Sequence, residues 1–162
     1  MAEIQKKPLI TDLYSADPSA HVFNDKIYIY PSHDEDEDVE NNDNGDQYNM
    51  KDYHVYEMAD ENTLPKDCGC IFSLEDVKWA SKQLWAPDCV EKDGKYYFYF
   101  PARDKTGMFR IGVAISDKPE GPFKPEPDYI PNTYSIDPCV FPDDDGKYYI
   151  SVGGLWGGQL DQ

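Results

Sequence analysis

The chain writes one local design three times. Asp17-Pro18-Ser19-Ala20-His21-Val22-Phe23 runs into Lys26-Ile27-Tyr28-Ile29-Tyr30; Ala86-Pro87-Asp88-Cys89-Val90 runs into Lys95-Tyr96-Tyr97-Phe98-Tyr99; and Asp137-Pro138-Cys139-Val140-Phe141 runs into Lys147-Tyr148-Tyr149-Ile150-Ser151. Each copy has an acidic residue beside a proline, a short apolar run, a polar turn and an aromatic run. That is a β-hairpin, and its recurrence at about 50 to 70 residues predicts an all-β radial repeat, a β-propeller, with acidic side chains converging on one axis.

The local patterns agree. Ile27 and Ile29 alternate with Tyr28 and Tyr30, and Tyr96 and Phe98 with Tyr97 and Tyr99, which puts the members of each pair on opposite faces of a strand. Asn24-Asp25, Asp93-Gly94 and Asp145-Gly146 are turn dipeptides that tolerate positive φ. Further strands are expected at 53–58, 70–74 and 109–115, and helix should be scarce because no window carries a long stripe of period 3.6. A first blade is read over about 14–75, a second over about 84–125, and the start of a third over 135–162, ending after Trp156-Gly157-Gly158. A propeller needs about four blades to close, so the chain reads as roughly two and a half blades, with open sheet edges prone to association. Residues 33–52 form an acidic, Asn-rich insertion, expected to be a solvated rim loop. Its Glu40-x-Asn42-x-Asn44-Gly45 stretch has a faint likeness to a calcium loop, but it lacks the opening Asp and has Lys51 where the closing Glu belongs.

At 162 residues one domain with a real core is expected. Thirteen Tyr, seven Phe and three Trp suit pleated, half-buried surfaces. No stretch approaches the roughly 20 apolar residues of a membrane span. Met1 to Ile10 has lysines but no apolar core or cleavage site, so no export signal is read there; a chain with its leader removed would read the same, which leaves the compartment open. The net charge of −17 argues against a nucleic-acid partner, which would need a basic stripe. It suits a neutral or cationic ligand, and equally serves solubility. Cys68, Cys70, Cys89 and Cys139 make neither a disulfide framework nor a zinc motif, and are expected to be free thiols packed as small hydrophobes.

Two residues stand out chemically. A carboxylate at the first position of an inner strand is costly to bury without a purpose, and Asp17 and Asp137 hold matching positions, each followed by proline. Two such groups near one axis can shift each other's pKa and divide the work of base and electrostatic tuner. Asp-Pro also opens strands for steric reasons alone, so spacing leaves both readings standing. Trp85, at the corresponding point of the second copy, offers either a flat face to sugar C–H bonds or core packing. Asp88 follows its proline and is read as structural.

These segments resemble glycoside hydrolase family 43: Asp17-Pro18 opening the first blade, Leu84-Trp85-Ala86-Pro87-Asp88 the second, Ile136-Asp137-Pro138 the third. Ser32-His33-Asp34 followed by Tyr48-Asn49-Met50-Lys51-Asp52-Tyr53, and Ser116 through Gly121-Pro122-Phe123, agree with it. The resemblance implies a five-bladed propeller of which this is the amino-terminal half, acting on xylose- and arabinose-containing glycans as an inverting α-L-arabinofuranosidase or β-xylosidase. It implies Asp17 as general base, Asp137 as the carboxylate that raises the acid's pKa and orients it, and Trp85 as an aromatic beside the sugar. His33 and Asp34 are candidates for the pocket rim, the alternative being a hydrogen-bonded strand end. It requires no cofactor and allows a structural calcium in the complete propeller. The partners it implies are the glycan and the carboxy-terminal half.

The family's general acid is a glutamate on the fourth blade, beyond this chain. Glu120-Gly121-Pro122 imitates its surroundings but matches the turn that closes the second blade, so it is not assigned. Two alternatives remain. A retaining fructan- or sucrose-acting propeller usually has Arg before its third-blade Asp-Pro, where Ile136 stands here. A non-catalytic carbohydrate-binding propeller would lack the acid altogether.

Overall fold

The computed structural model describes residues 8–36 and 38–153. The expected end at Trp156-Gly157-Gly158 and most of the Met1–Ile10 segment lie outside the described residues. The described residues are all-β and form three antiparallel sheets with one 3₁₀ turn at Leu74–Asp76. The first sheet is a four-stranded meander of β1 (Ser15–Phe23), β2 (Lys26–His33), β3 (Asp52–Met58) and β4 (Lys66–Ser73). β4 starts four residues before the apolar run that marks it in the sequence, because Lys66 and Asp67 pair with Glu57 and Tyr56 despite their polarity.

The second sheet turns on the ten-residue β7 (Lys95–Asp104). One edge of β7 pairs first with β6 (Asp88–Lys92) and then, at its far end, with the short β5 (Ala80–Lys82). The other edge pairs with β8 (Phe109–Ser116), which carries β9 (Lys124–Pro125). β5 has no sequence signal of its own; a three-residue strand cannot show a period. The third sheet is the hairpin β10 (Cys139–Pro142) and β11 (Tyr148–Ser151).

Two-residue turns close the first two hairpins, with both central residues at positive φ: Asn24 and Asp25 at 51° and 61°, Asp93 and Gly94 at 54° and 75°. That geometry matches the twist of the flanking strands. The third hairpin uses a longer loop over Asp143–Lys147, in which the Asp143 N–H donates to the Lys147 carbonyl at 2.8 Å.

Aromatic side chains from the first two sheets form one core. Phe98, fully buried, has ring centroids of Tyr30, Tyr53, Phe72 and Phe123 at 5.8, 4.9, 5.5 and 5.4 Å. Tilted and edge-on contacts of this kind are favourable beyond their area burial. The buried tyrosines keep their hydroxyls satisfied: Tyr30 donates to the Pro119 carbonyl at 2.9 Å and Tyr53 to the Trp85 carbonyl at 2.5 Å. Phe100 stacks on Trp79 at 5.9 Å over Gly112, where a Cβ would lie 2.6 Å from both rings.

Asp88 ties the three sheets together. Its carboxylate is buried; Oδ1 meets His21 Nε2 on β1 at 2.6 Å and accepts the Cys89 N–H at 2.9 Å, while Oδ2 accepts the Val140 N–H on β10 at 2.6 Å. The thiols divide: Cys89 is buried and burial pushes its pKa up, but Cys70 and Cys139 are exposed and Cys68 is half-buried. Three of the four thus fail to pack as small hydrophobes, because they sit on outward strand positions or on a strand opening.

Phe98→Ala is expected to cost about 3–5 kcal/mol by opening a cavity, and Gly112→Ala about 1–3 kcal/mol by overpacking the Phe100–Trp79 stack. Val22→Ala, at a position 70% exposed, should stay within about 0.5 kcal/mol. Denaturant unfolding of the three variants checks the order.

Candidate active site

At Asp17 and Asp137 the backbone makes the same uncommon choice. φ is 46° at Asp17 and 52° at Asp137, a left-handed conformation directly before proline, where residues prefer to be extended. Each such position costs on the order of 1–3 kcal/mol and persists only when its surroundings enforce it. In β1 the enforcement is a break in the ladder: pairing runs through Ala16 with Ser32, then resumes at Ser19 with Tyr30. Asp17 and Pro18 therefore stand out of the sheet. Around Asp137 the segment that follows β11 folds back: the Gly153 N–H donates to the Ile136 carbonyl at 2.8 Å, and the Ser135 hydroxyl donates to the Gly153 carbonyl. Gly153 is needed there, since a Cβ would lie 2.9 Å from Asp137 Cβ and 3.0 Å from its Oδ2.

Asp17, Asp34, Trp85 and Asp137 line one cavity of ≈ 470 Å³, with Gly45, Tyr48 and Met50 on its loop side. The Trp85 indole is oriented from several directions. Its Nε1–H donates to the Tyr48 carbonyl at 2.7 Å, its ring meets Tyr48 edge-on at 6.3 Å, and its other side packs on Phe109 at 4.5 Å. Its backbone N–H donates to the Pro101 carbonyl at 3.2 Å.

The 33–52 insertion is docked at its tip rather than solvated throughout. Gln83 and Arg103 are buried polar side chains, and such groups must find partners. Arg103 Nε donates to Gln83 Oε1 at 2.5 Å, Gln83 Nε2 to the Gly45 carbonyl at 2.6 Å, and Arg103 Nη2 to the Asn44 carbonyl at 2.8 Å. Lys82 pairs with Asp46 at 2.5 Å. Gly45, at φ 72°, brings its backbone so close to Trp85 that a Cβ would lie 2.8 Å from Cη2.

This loop does not fit a calcium ion, which takes six to eight oxygens. Asn42 Oδ1 already accepts the N–H groups of Asn44 and Asp46, and the Asp46 carboxylate is taken by Lys82 and the Asn42 amide. An ammonium group occupies the place a cation would need.

Like charge gathers at the cavity. The Asp137 carboxyl is pushed up from its ordinary pKa by partial burial first and then by the negative charge of Asp17. Asp34 is pushed up by the same two causes in the same order, with His33 opposing. His33 itself lies elsewhere: its Nδ1 is bonded to Asp52 Oδ1 at 2.5 Å, its ring packs on His54, and it is not among the cavity-lining residues. Strand alternation explains this, because adjacent residues at the end of β2 point to opposite sides. Glu120 is also remote, close enough to Lys26 and Tyr28 on the first sheet to act on them electrostatically.

Three radial sheets, the first and third opening on a strained Asp-Pro, around a carboxylate-lined cavity define part of a β-propeller of the glycoside hydrolase kind. Residues 6–162 match the model for glycosyl hydrolases family 43, and the chain belongs to that family. It is 64% identical over 155 residues to a xylosidase/arabinosidase 43A of Humicola insolens, covering 94% of this chain and 47% of that protein. To a β-xylosidase of Xylanibacter ruminicola it is 57% identical, covering 91% and 47%. Among solved structures, a GH43 β-xylosidase/α-arabinofuranosidase from a compost microbial metagenome, in complex with xylotriose and in a calcium-free form, superposes with a TM-score of 0.91 at 59% identity. That match covers 95% of this chain and 47% of the other. The chain thus spans about half the length of the relatives it matches.

Asp17→Asn should let both Asp34 and Asp137 titrate at lower pH, because it removes the negative charge that raises each; carboxyl-carbon NMR titration measures the shift. Gly45→Ala should displace the Trp85 indole, read as a change in its near-UV circular dichroism.

Proposed function

We propose that this chain supplies the base and the acid-tuning carboxylate of an inverting glycoside hydrolase that acts on xylose- or arabinose-containing oligosaccharides. The observation that carries the reading is the pairing of Asp17 and Asp137: two aspartates in the same strained conformation, on one cavity, beside a rigidly held indole. In such a mechanism Asp17 takes a proton from a water molecule as that water attacks the anomeric carbon, and the leaving oxygen takes a proton from an acid across the sugar. Base and acid then stand roughly 6.5–9.5 Å apart to admit the water. Asp137, carrying negative charge beside that acid, would keep the acid protonated until the transition state. Trp85 and Asp34 would bind the sugar, the indole through C–H contacts and the carboxylate through hydroxyls. His33 is left out of the reading because its ring is committed to Asp52.

Among the described residues, those lining the cavity include no glutamate, and the reading takes the proton donor from the rest of the complete propeller. The 162 residues assayed alone on aryl xyloside and aryl arabinoside should therefore be slower than the intact enzyme by about 10²- to 10⁴-fold, the usual worth of acid assistance. In the intact enzyme, proton NMR of the first-formed sugar should show inverted anomeric configuration, and Asp17→Asn should lower kcat by about 10²-fold or more. Retention of configuration would move the assignment to the fructan- and sucrose-acting group. Xyloside or arabinoside binding without turnover in the intact protein would make it a carbohydrate-binding propeller.

A further inference from the structure

We propose that His33, Asp52 and His54 form a binding site for a borderline divalent ion such as zinc, separate from the sugar cavity. One donor atom from each of the three lies within 4.8 Å of the other two. All three stand on strands, His33 closing β2 and Asp52 and His54 opening β3, two residues apart and so on one face. The two imidazoles meet edge-on with centroids 5.5 Å apart.

The geometry beyond these three side chains is what a metal site requires. The His54 Nδ1 lies 3.1 and 3.0 Å from the two oxygens of Asp67. A carboxylate only accepts, so Nδ1 carries the proton and Nε2 is left with a lone pair. A histidine fixed in tautomer and orientation by a carboxylate is the usual support for a metal ligand. His33 Nδ1 and Asp52 Oδ1 are 2.5 Å apart. A cation between them takes the position of the Nδ1 proton, and the imidazole passes to its other tautomer, so no net proton need leave.

The chemistry selects the ion. Two nitrogens and one carboxylate suit zinc and its neighbours, not calcium or magnesium, which prefer oxygen. Donors bound to one tetrahedral zinc at about 2.0–2.2 Å stand roughly 3.3–3.6 Å apart, so His33 Nδ1 and Asp52 Oδ1 must part to admit the ion and the more distant donor must close in, each by a shift on the order of 1 Å. These partly exposed side chains, 17–27% accessible, can make that shift. Three protein ligands leave a fourth position for water. Bound there, the ion would cross-link β2 to β3 at the base of the strand end that carries Asp34.

Zinc titration of the intact, chelator-treated protein by calorimetry tests the site. His54→Ala should bind one zinc fewer per chain than the parent while keeping its circular dichroism. Asp67→Asn should bind at this site about 10- to 100-fold more weakly, and a large excess of magnesium or calcium should not compete. An unchanged number of bound zinc ions in folded His54→Ala, or no zinc binding by the parent at micromolar metal, overturns the assignment. Should His54→Ala fail to fold, Asp67→Asn decides, and unchanged affinity there overturns it equally.

Discussion

The Asp88 carboxylate holds the arrangement together. It is buried between the inner strands of three sheets, and its two oxygens take donors from the sheet on either side as well as from its own strand. A buried charge of this kind is tolerated only when hydrogen-bonded, and removing a partner leaves an expensive orphan. Neighbouring sheets are therefore fixed in register by something more directional than aromatic packing. The cavity depends on that register, since Asp17 belongs to the first sheet, Trp85 to the approach of the second, and Asp137 to the third.

Backbone strain is the second constraint. Asp17 and Asp137 adopt a conformation that neither their own preference nor that of a pre-proline residue supports. The sheet carries the cost, through the interrupted β1 ladder in one case and the Ser135–Gly153 clasp in the other. Strain repeated at two related positions that share a cavity marks a place where geometry has been kept against stability.

Much of this was legible in the residues. Alternation in Lys26–Tyr30 and Lys95–Tyr99, the turn dipeptides, and the recurrent proline beside an acid locate the hairpins and the two aspartates. What the sequence concealed was tertiary. Nothing in Gln83 or Arg103 announces a buried pair reaching for the Asn44 and Gly45 carbonyls, and an acidic, Asn-rich stretch reads as solvated until those partners are seen. A positive φ of 66° at Gln83 was equally invisible, because glutamine gives no turn signal. His33 was misplaced for a simpler reason: next to Asp34 in the chain, it falls on the other side of the strand end. His54 and Asp67, 13 residues apart, meet only through strand pairing that bulges inserted between them displace.

The docked loop has a mechanical consequence. Residues 42–48 are covalently an excursion of the first sheet but are hydrogen-bonded to side chains of the second, through Gln83, Arg103 and Trp85. They work as a hasp across the seam. A sugar pressing on the indole loads that fastening directly, so occupancy of the cavity and the rigidity of the seam should rise and fall together, and Trp85 is placed to report both.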